Sequence, residues 1–155
     1  MTDTHPIVLA VNDLDFGGAQ RTVVEEAREL ARRNIPVVVV VTLANPKMGL
    51  AEYLGHDVQI VQFGFRSLFD VGAHVRLARF FWTKKPRAVV SNLFFTNTVI
   101  RIAKLCTPFV RVLVREGNVL IEKSVWVKIV DTFLSIVTEC VLVNARFLVK
   151  PVKRV

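Results

Sequence analysis

Val37-Val38-Val39-Val40-Val41 is the stretch of sequence that decides the fold. It is apolar at every position, whereas a strand with one solvent-facing side alternates apolar and polar residues. The five valines therefore predict a strand that is buried on both faces, as in a parallel sheet covered by helices. Asn34 and Pro36 come just before this run, and we expect them to end the preceding helix.

Strand-like apolar runs alternate with helical patterns on both sides of the valine run. Further strands are predicted at residues 6–12, 58–63, 88–90, 109–114 and 140–143. Helices are predicted from Ala19 to Arg33, from an N-cap at Asp70 to Thr83, from about Thr96 to Leu105, and along an apolar repeat from Ile121 to Val137. This alternation predicts an α/β fold: a single Rossmann-like domain with an open, mostly parallel sheet and helices on both faces.

Composition limits the class of protein. The 155 residues are 52% hydrophobic, with a mean hydropathy of +0.44, which is the size and composition of one folded domain rather than a disordered chain. No apolar run reaches the ~20 residues of a membrane-spanning helix, and the N-terminus has no signal-peptide pattern. We therefore expect a cytoplasmic protein. Separately, we expect no metal and no cofactor. Cys106 and Cys140 are expected to be core residues.

Positive charge is concentrated in the later part of the chain. Residues 1–62 carry five Lys/Arg and eight Asp/Glu, whereas residues 63–155 carry sixteen and five. Basic residues surround Phe80-Phe81-Trp82, namely Arg76, Arg79, Lys84, Lys85 and Arg87. Three interpretations stay open: an amphipathic helix with its aromatics packed inward, a peripheral contact with the inner face of a membrane through Arg76, Arg79, Lys84 and Lys85, or a nucleic-acid surface. No recognisable nucleic-acid module is present, so we expect no nucleic-acid partner.

The loop Asn12-Asp13-Leu14-Asp15-Phe16-Gly17-Gly18 joins the first predicted strand to the first helix. Glycines at this junction leave backbone N–H groups uncovered at the positive end of a helix dipole, where a phosphate can approach. The alternative is steric, because a tight strand-to-helix turn needs glycine whether or not a ligand binds. Gly17 and Gly18 are therefore candidate phosphate-binding residues.

Polar residues also follow the other predicted strands. Because ligands bind at the carboxyl ends of the strands in such sheets, these positions are candidates for a binding cleft. The candidates are Asp15, Ser91, Asn92, Asn97, Arg115, Glu116 and Asn118. The alternative is that they are ordinary solvated loop residues.

The chain resembles the N-terminal domain of the retaining glycosyltransferases of family 4, which are built from two facing Rossmann-like domains (GT-B type). The resemblance starts in the segment from Asn12 to Arg21 and runs through nearly all 155 residues. Its later parts are Gly49-Leu50 with Tyr53-Leu54, the helix containing Arg76-Leu77-Ala78-Arg79, Pro86 to Phe94 with Asn97, and Arg115-Glu116-Gly117-Asn118.

This resemblance implies transfer of a sugar from a nucleotide-sugar donor, the substrate, to an acceptor held mainly by this domain. It implies that Gly17 and Gly18 approach the donor diphosphate, and that Asp15, Asn92, Asn97, Arg115, Glu116 and Asn118 line the cleft. Asn92 stands where many family members have a histidine, so no catalytic residue is assigned. His5, His56 and His74 are expected at the surface.

The C-terminal nucleotide-sugar domain of the family has no counterpart in residues 1–155, so we expect a truncated or split enzyme, inactive alone. The alternative is a non-catalytic module that docks on a membrane or partner through its basic aromatic surface.

Overall fold

A computed structural model describes residues 5–116 and 132–143 of the chain. Within these residues, all strand pairings are parallel and form one six-stranded sheet in the order β3-β2-β1-β4-β5-β6. The strands are β1 (Ile7–Val11), β2 (Val37–Leu43), β3 (Gln59–Phe65), β4 (Ala88–Asn92), β5 (Val112–Glu116) and β6 (Cys140–Val143). The predicted Rossmann-like α/β architecture is confirmed.

Helices cover both faces of this sheet. They are α1 (Gly18–Arg32), α2 (Val71–Lys84), α3 (Phe94–Leu105) and a 3-10 helix, Ala51–Leu54. α1 and the 3-10 helix pack on one face, where Val23, Val24 and Ala27 of α1 are buried. α2 and α3 pack on the other face through residues that include Leu77, Phe81 and Ile100. The sheet therefore separates two apolar cores.

The valine run is buried as its composition predicts. Val37, Val39 and Val41 point into the core beneath α1, and Val38 and Val40 point into the core beneath α2 and α3. Each of the five side chains is at most 7% exposed. Because successive strand residues face opposite sides of the sheet, an apolar residue at every position contributes to both cores.

The remaining differences from the sequence prediction concern boundaries and individual residues. α3 begins at Phe94 rather than near Thr96, and the fifth strand begins at Val112, so that Phe109 lies in a turn. The 3-10 helix was not predicted. The long helix predicted from Ile121 to Val137 lies mostly outside the described residues, although 132–135 are helical.

The order of the strands determines where a ligand can bind. The chain moves outward from β1 through β2 to β3, and then crosses to β4 and continues in the opposite direction. The connections after β1 and β4 therefore diverge, and they leave a crevice at the carboxyl ends of these two strands. The loop at residues 12–17 and the start of α3 border this crevice.

In residues 5–116 and 132–143, no helix is long and apolar enough to cross a membrane. Cys106 and Cys140 are both exposed, so their predicted place in the core is wrong. Each lies at the end of an element, just after α3 and at the first residue of β6, where apolar neighbours in the sequence do not ensure burial.

Candidate functional site

The glycine loop is held firmly against the neighbouring segment of chain. The Leu14 side chain is fully buried in the core beneath α1. Its backbone N–H donates to the Lys47 carbonyl, and its carbonyl accepts from the Leu50 N–H, both at 2.8 Å. These contacts anchor the loop at Leu14.

Asp13 organises the same loop from within. Its Oδ1 accepts hydrogen bonds from the Asp15 backbone N–H and from Gln20 Nε2, each at 3.0 Å. Asp15, a predicted cleft residue, forms an ion pair with Lys47 at 2.9 Å, and the hydrogen bond from Lys47 lowers the pKa of the Asp15 carboxyl. Asp15 is therefore at the rim of the site, as a partly exposed carboxylate that already has a cationic partner.

α1 begins at Gly18 with Gly17 as its N-cap, one residue earlier than predicted. No side chain caps this end, and the first turn contains no acidic residue. The backbone N–H groups of a first helical turn have no partners within the helix and carry partial positive charge. The N-terminus of α1 is thus suited to accept a hydrogen-bonding anion.

α2 and α3 differ from α1 in this respect. The Asp70 carboxylate caps α2 by accepting from the Ala73 N–H at 3.0 Å, as predicted. At the start of α3, the Thr96 N–H donates to Asn12 Oδ1 at 3.2 Å. Among the α-helices of the described region, side-chain oxygens therefore bind the first turns of α2 and α3 but not that of α1.

Backbone conformation does not explain the glycine pair. Gly17 is extended, with φ −121° and ψ 163°, and Gly18 belongs to the helix. The glycines with positive φ in the described residues are Gly55 and Gly64. A positive φ is therefore not the reason for the doublet, and the steric alternative depends on the space around each glycine.

The space around the two glycines distinguishes them. A Cβ added at Gly18 meets no atom within 4 Å, so the front of the helix is open there. A Cβ at Gly17 meets the amide oxygen of Gln20, whose side chain is folded over the loop. A larger side chain at Gly18 would occupy this open space, whereas the Gly17 N–H already donates to the Asp15 carbonyl at 2.9 Å.

A second group of predicted residues meets at the carboxyl end of β4 and β5. Arg115 Nη2 and Nη1 donate to the two Glu26 carboxylate oxygens at 2.6 and 3.1 Å, and Nη1 also lies 3.3 Å from Asn92 Oδ1. The Asn92 amide donates to the Ala10 carbonyl at 3.3 Å. One guanidinium therefore connects β5 to β4 and to α1.

Most of these polar groups are buried rather than exposed to a cleft. Asn92 is 1% exposed and Asn97 is fully buried, with its amide donating to the Arg115 carbonyl at 3.2 Å. Asn92 and Asn97 therefore support the floor of the crevice through hydrogen bonds to the backbone. The side chain of Glu116 and the whole of Asn118 lie outside the described residues.

Polar side chains also join the ends of β1 and β2 to α3. The Thr96 hydroxyl donates to Asn12 Oδ1 at 2.6 Å and lies 2.9 Å from the Thr42 hydroxyl. Leu93, which precedes α3, has φ 71° and ψ 145°, a conformation that non-glycine residues rarely adopt. The start of α3 is thus held in a fixed and strained geometry beside the glycine loop.

A cavity of about 580 Å³ lies beside the Arg115–Glu26 pair, between α1 and the sheet. Its apolar walls include Ile7, Leu9 and Val90, and the ion pair lies on its polar side. Glu26 is not among the residues predicted from the sequence to line the site. The only signal was its place on the polar side of α1, which it shares with other charged residues of that helix.

The three histidines provide no acid–base group near the glycine loop. His5 and His56 are exposed, as predicted. His74 is partly buried on α2, with its Nε2 2.8 Å from the Leu68 carbonyl and its ring packed edge-on against Phe65. Its predicted surface position is wrong, because the ring faces the core beneath α2.

Within the described residues, no cluster of His, Cys, Asp and Glu is arranged to hold a metal ion.

Two of the solved structures that match this chain are a galactosyltransferase and a UDP-GlcNAc epimerase. The apo form of the lipopolysaccharide outer core galactosyltransferase WaaB aligns with 96% of this chain at a TM-score of 0.70 and 12% identity. The UDP-GlcNAc 2-epimerase from Methanocaldococcus jannaschii also aligns with 96%, at a TM-score of 0.63 and 13% identity. The chain has a GT-B-like fold.

The alignment covers 41% of the length of each of these two proteins, so the chain corresponds to less than half of either. At such low identity the likeness shows the fold alone. No protein-family model and no curated protein matches the sequence.

Proposed function

We propose that this chain is the acceptor-side domain of a retaining glycosyltransferase of the family 4 type. In this proposal it transfers a sugar from a nucleotide-sugar donor to an acceptor, together with a facing domain that binds most of the nucleotide. The observation that carries the proposal is the uncapped N-terminus of α1 at Gly17-Gly18, beside the crevice of a GT-B-like sheet. The family-like order of motifs along the sequence supports it independently.

The chemistry of the site follows from what sugar transfer needs. As the glycosidic bond to the donor phosphate breaks, negative charge builds up on the departing nucleoside diphosphate. Preorganised N–H groups stabilise such charge without reorganisation when they point at the place where it develops. The N–H groups at the start of α1 have this role, and Gly18 keeps the approach to them open.

Arg115, Asn92 and Asn97 have a positioning role in this proposal. The Arg115 guanidinium fixes the end of β5 relative to α1 through Glu26 and relative to β4 through Asn92. Its charge is already balanced by Glu26, so it is poorly placed to act as the main diphosphate ligand. We assign no residue of this chain as a general base.

The phosphate-binding step is tested by NMR titration of the chain with inorganic pyrophosphate and with UDP. We expect the largest amide shifts at Gly18, Ala19 and Gln20, and their loss in Gly18→Val, whose circular dichroism spectrum stays that of the wild type. The Ala73 amide is an internal control, because Asp70 already occupies that helix end. Shifts that are absent at α1, or equally large at Ala73, would contradict the assignment.

Sugar transfer is tested with the facing domain present. We expect Gly18→Val to lower the rate of nucleoside-diphosphate release roughly 100-fold, the magnitude typical of a lost oxyanion contact. Tyr53→Ser, on the exposed side of the 3-10 helix, is the control and should leave the rate unchanged. Equal rates in wild type and Gly18→Val would remove the loop from the mechanism.

A further inference from the structure

The outer face of α2 carries apolar side chains that the core does not use. Val71 and Val75 are 71% and 61% exposed, and Trp82 is 54% exposed. With Arg79 they follow i, i+4, i+8 and i+11 spacing and so form one line along the helix. The opposite side of α2 is already buried in the core through Ala73, Leu77 and Phe81. We call this line, with the neighbouring Phe69, the α2 outer face.

Phe69 is the most exposed of these residues. It precedes the N-cap of α2, and its side chain is 89% exposed. Its loop follows β3, at the same edge of the sheet as the glycine loop, because the carboxyl ends of parallel strands share one edge. Contact with an apolar surface would lower the free energy of this exposed phenylalanine, because its ring would leave water.

The same segment is strongly basic. Residues 59–94 contain one acidic side chain, Asp70, whose carboxylate accepts the Ala73 and Arg66 backbone N–H groups. They contain six basic residues: Arg66, Arg76, Arg79, Lys84, Lys85 and Arg87. All six are exposed. Positive charge and exposed apolar surface therefore occur together on one helix and its flanks.

The aromatic run predicted as part of this surface divides between core and solvent. Phe81 is fully buried, and Phe80 is partly buried and packs edge-on against Phe63 at 5.4 Å. Trp82 remains at the surface, with its indole N–H donating to the Cys106 carbonyl at 3.2 Å. The prediction of inward packing is thus right for Phe80 and Phe81. The exposed apolar residues of this region are Phe69, Val71 and Val75, together with Trp82.

We propose that the α2 outer face docks on the surface of an anionic lipid bilayer. A helix that lies in the membrane interface presents apolar residues to the acyl chains and basic residues to the phosphates. α2 has 14 residues, a length of about 21 Å, and has both features along its solvent side. Val71 and Val75 insert between the lipids, and Arg79 binds the headgroups. Arg76, whose Nη2 donates to the Phe63 carbonyl at 2.8 Å, and Lys84 and Lys85 at the end of the helix lie beside this line and add to its positive charge.

The charge of this segment favours a lipid bilayer as the partner. Six basic residues and one acidic residue lie between residues 59 and 94, and such a basic cluster on an amphipathic helix is typical of binding to anionic lipid. The long side chain of Arg79, between Val75 and Trp82, can reach the phosphates while its methylene groups stay among the lipids. The aliphatic valines likewise argue against a nucleic acid, which selects aromatic residues for stacking.

Vesicle flotation tests this proposal with the whole chain. We expect the wild type to float with vesicles of 70:30 phosphatidylcholine and phosphatidylglycerol, and to stay in solution with phosphatidylcholine alone. Phe69→Ser and Arg79→Gln should each lower the partition coefficient about fivefold or more. The controls are Tyr53→Ser and Arg28→Gln, which remove an exposed aromatic ring and an exposed charge on the opposite face of the sheet and should bind like wild type.

Three outcomes would overturn the proposal. The first is failure of the wild type to float with the anionic vesicles, including the case in which it binds a single-stranded RNA or an acidic protein instead. The second is equal flotation with neutral vesicles. The third is an equal loss of binding in the control variants, which would mean that net charge alone is responsible. None of these results bears on the glycine loop, whose test uses soluble pyrophosphate.

Discussion

Arg115 on β5 and Glu26 on α1 form a two-point ion pair, with N–O distances of 2.6 and 3.1 Å. They are 89 positions apart in the sequence. The Arg115 side chain is 12% exposed, and the pair fixes α1 to the strand beyond β4. Because α1 begins at the glycine loop, this contact also fixes the orientation of the proposed phosphate-binding helix end.

Arg115→Lys should therefore destabilise the protein. A lysine ammonium cannot reproduce the planar two-point contact with Glu26 while also reaching Asn92, which is buried. We expect the free energy of unfolding in urea to fall by about 1–3 kcal/mol. Arg33→Lys, at an exposed ion pair on the same helix, is the control and should change it by less than about 0.5 kcal/mol. If the two changes lower the free energy of unfolding equally, the two-point contact of Arg115 stabilises the protein no more than an exposed ion pair does.

Local sequence patterns predicted the elements of this fold because the relevant physics is local. Five consecutive valines can be satisfied only between two covered faces, and an aspartate before a helical pattern predicts an N-cap such as Asp70. The α/β alternation then leaves few ways to arrange the strands. The loop Gly17-Gly18 could be found for the same reason, since it joins a strand to a helix.

The partners of the site residues could not be predicted in this way. Asn92 and Arg115 are neighbours because β4 and β5 pair in the register that aligns these two positions. Glu26 belongs to the polar side of α1, where nothing in the sequence separates it from Glu25 or Glu29. Long-range register and helix placement decide which of these charges meet, and neither can be read from spacing along the chain.

Leu93 provides a test of strain beside the crevice. Its φ of 71° and ψ of 145° belong to a region used almost only by glycine. Leu93→Gly and Leu93→Ala both remove the partly buried side chain, but only the glycine relieves the backbone. We expect Leu93→Gly to be more stable than Leu93→Ala by about 1–2 kcal/mol in urea unfolding, the reverse of the usual order. If alanine is the more stable, the strain is absent in solution.

Gly18 and Gly55 form a matched pair of glycines, since a Cβ added at either meets no atom within 4 Å. They differ in backbone conformation: Gly55 has φ 77°, whereas Gly18 is helical. Gly18→Ala should therefore leave the free energy of unfolding unchanged or raise it by up to about 1 kcal/mol. Gly55→Ala should lower it by about 1–3 kcal/mol. Thermal and urea unfolding of the two variants check this. If Gly18→Ala lowers the free energy of unfolding, the fold itself requires glycine at position 18.

Asp70 gives a prediction for the pH dependence of stability. Hydrogen bonds from the backbone N–H groups of Ala73 and then Arg66 lower the pKa of its carboxyl below the ordinary value of 3.8. A carboxyl whose pKa is lower in the folded state stabilises the protein above its unfolded-state pKa and loses this effect as the pH falls through the folded-state value. Asp70→Asn keeps a capping oxygen but carries no charge.

The melting temperature of wild type should therefore exceed that of Asp70→Asn at about pH 6, and the difference should shrink as the pH falls below 3.8. All other carboxyl groups are common to the two proteins, so their titration cancels in this comparison. Asp70→Ala, which removes the cap itself, should melt below Asp70→Asn at both ends of the pH range. A difference between wild type and Asp70→Asn that stays constant with pH would show that the charge of Asp70 does not stabilise the start of α2.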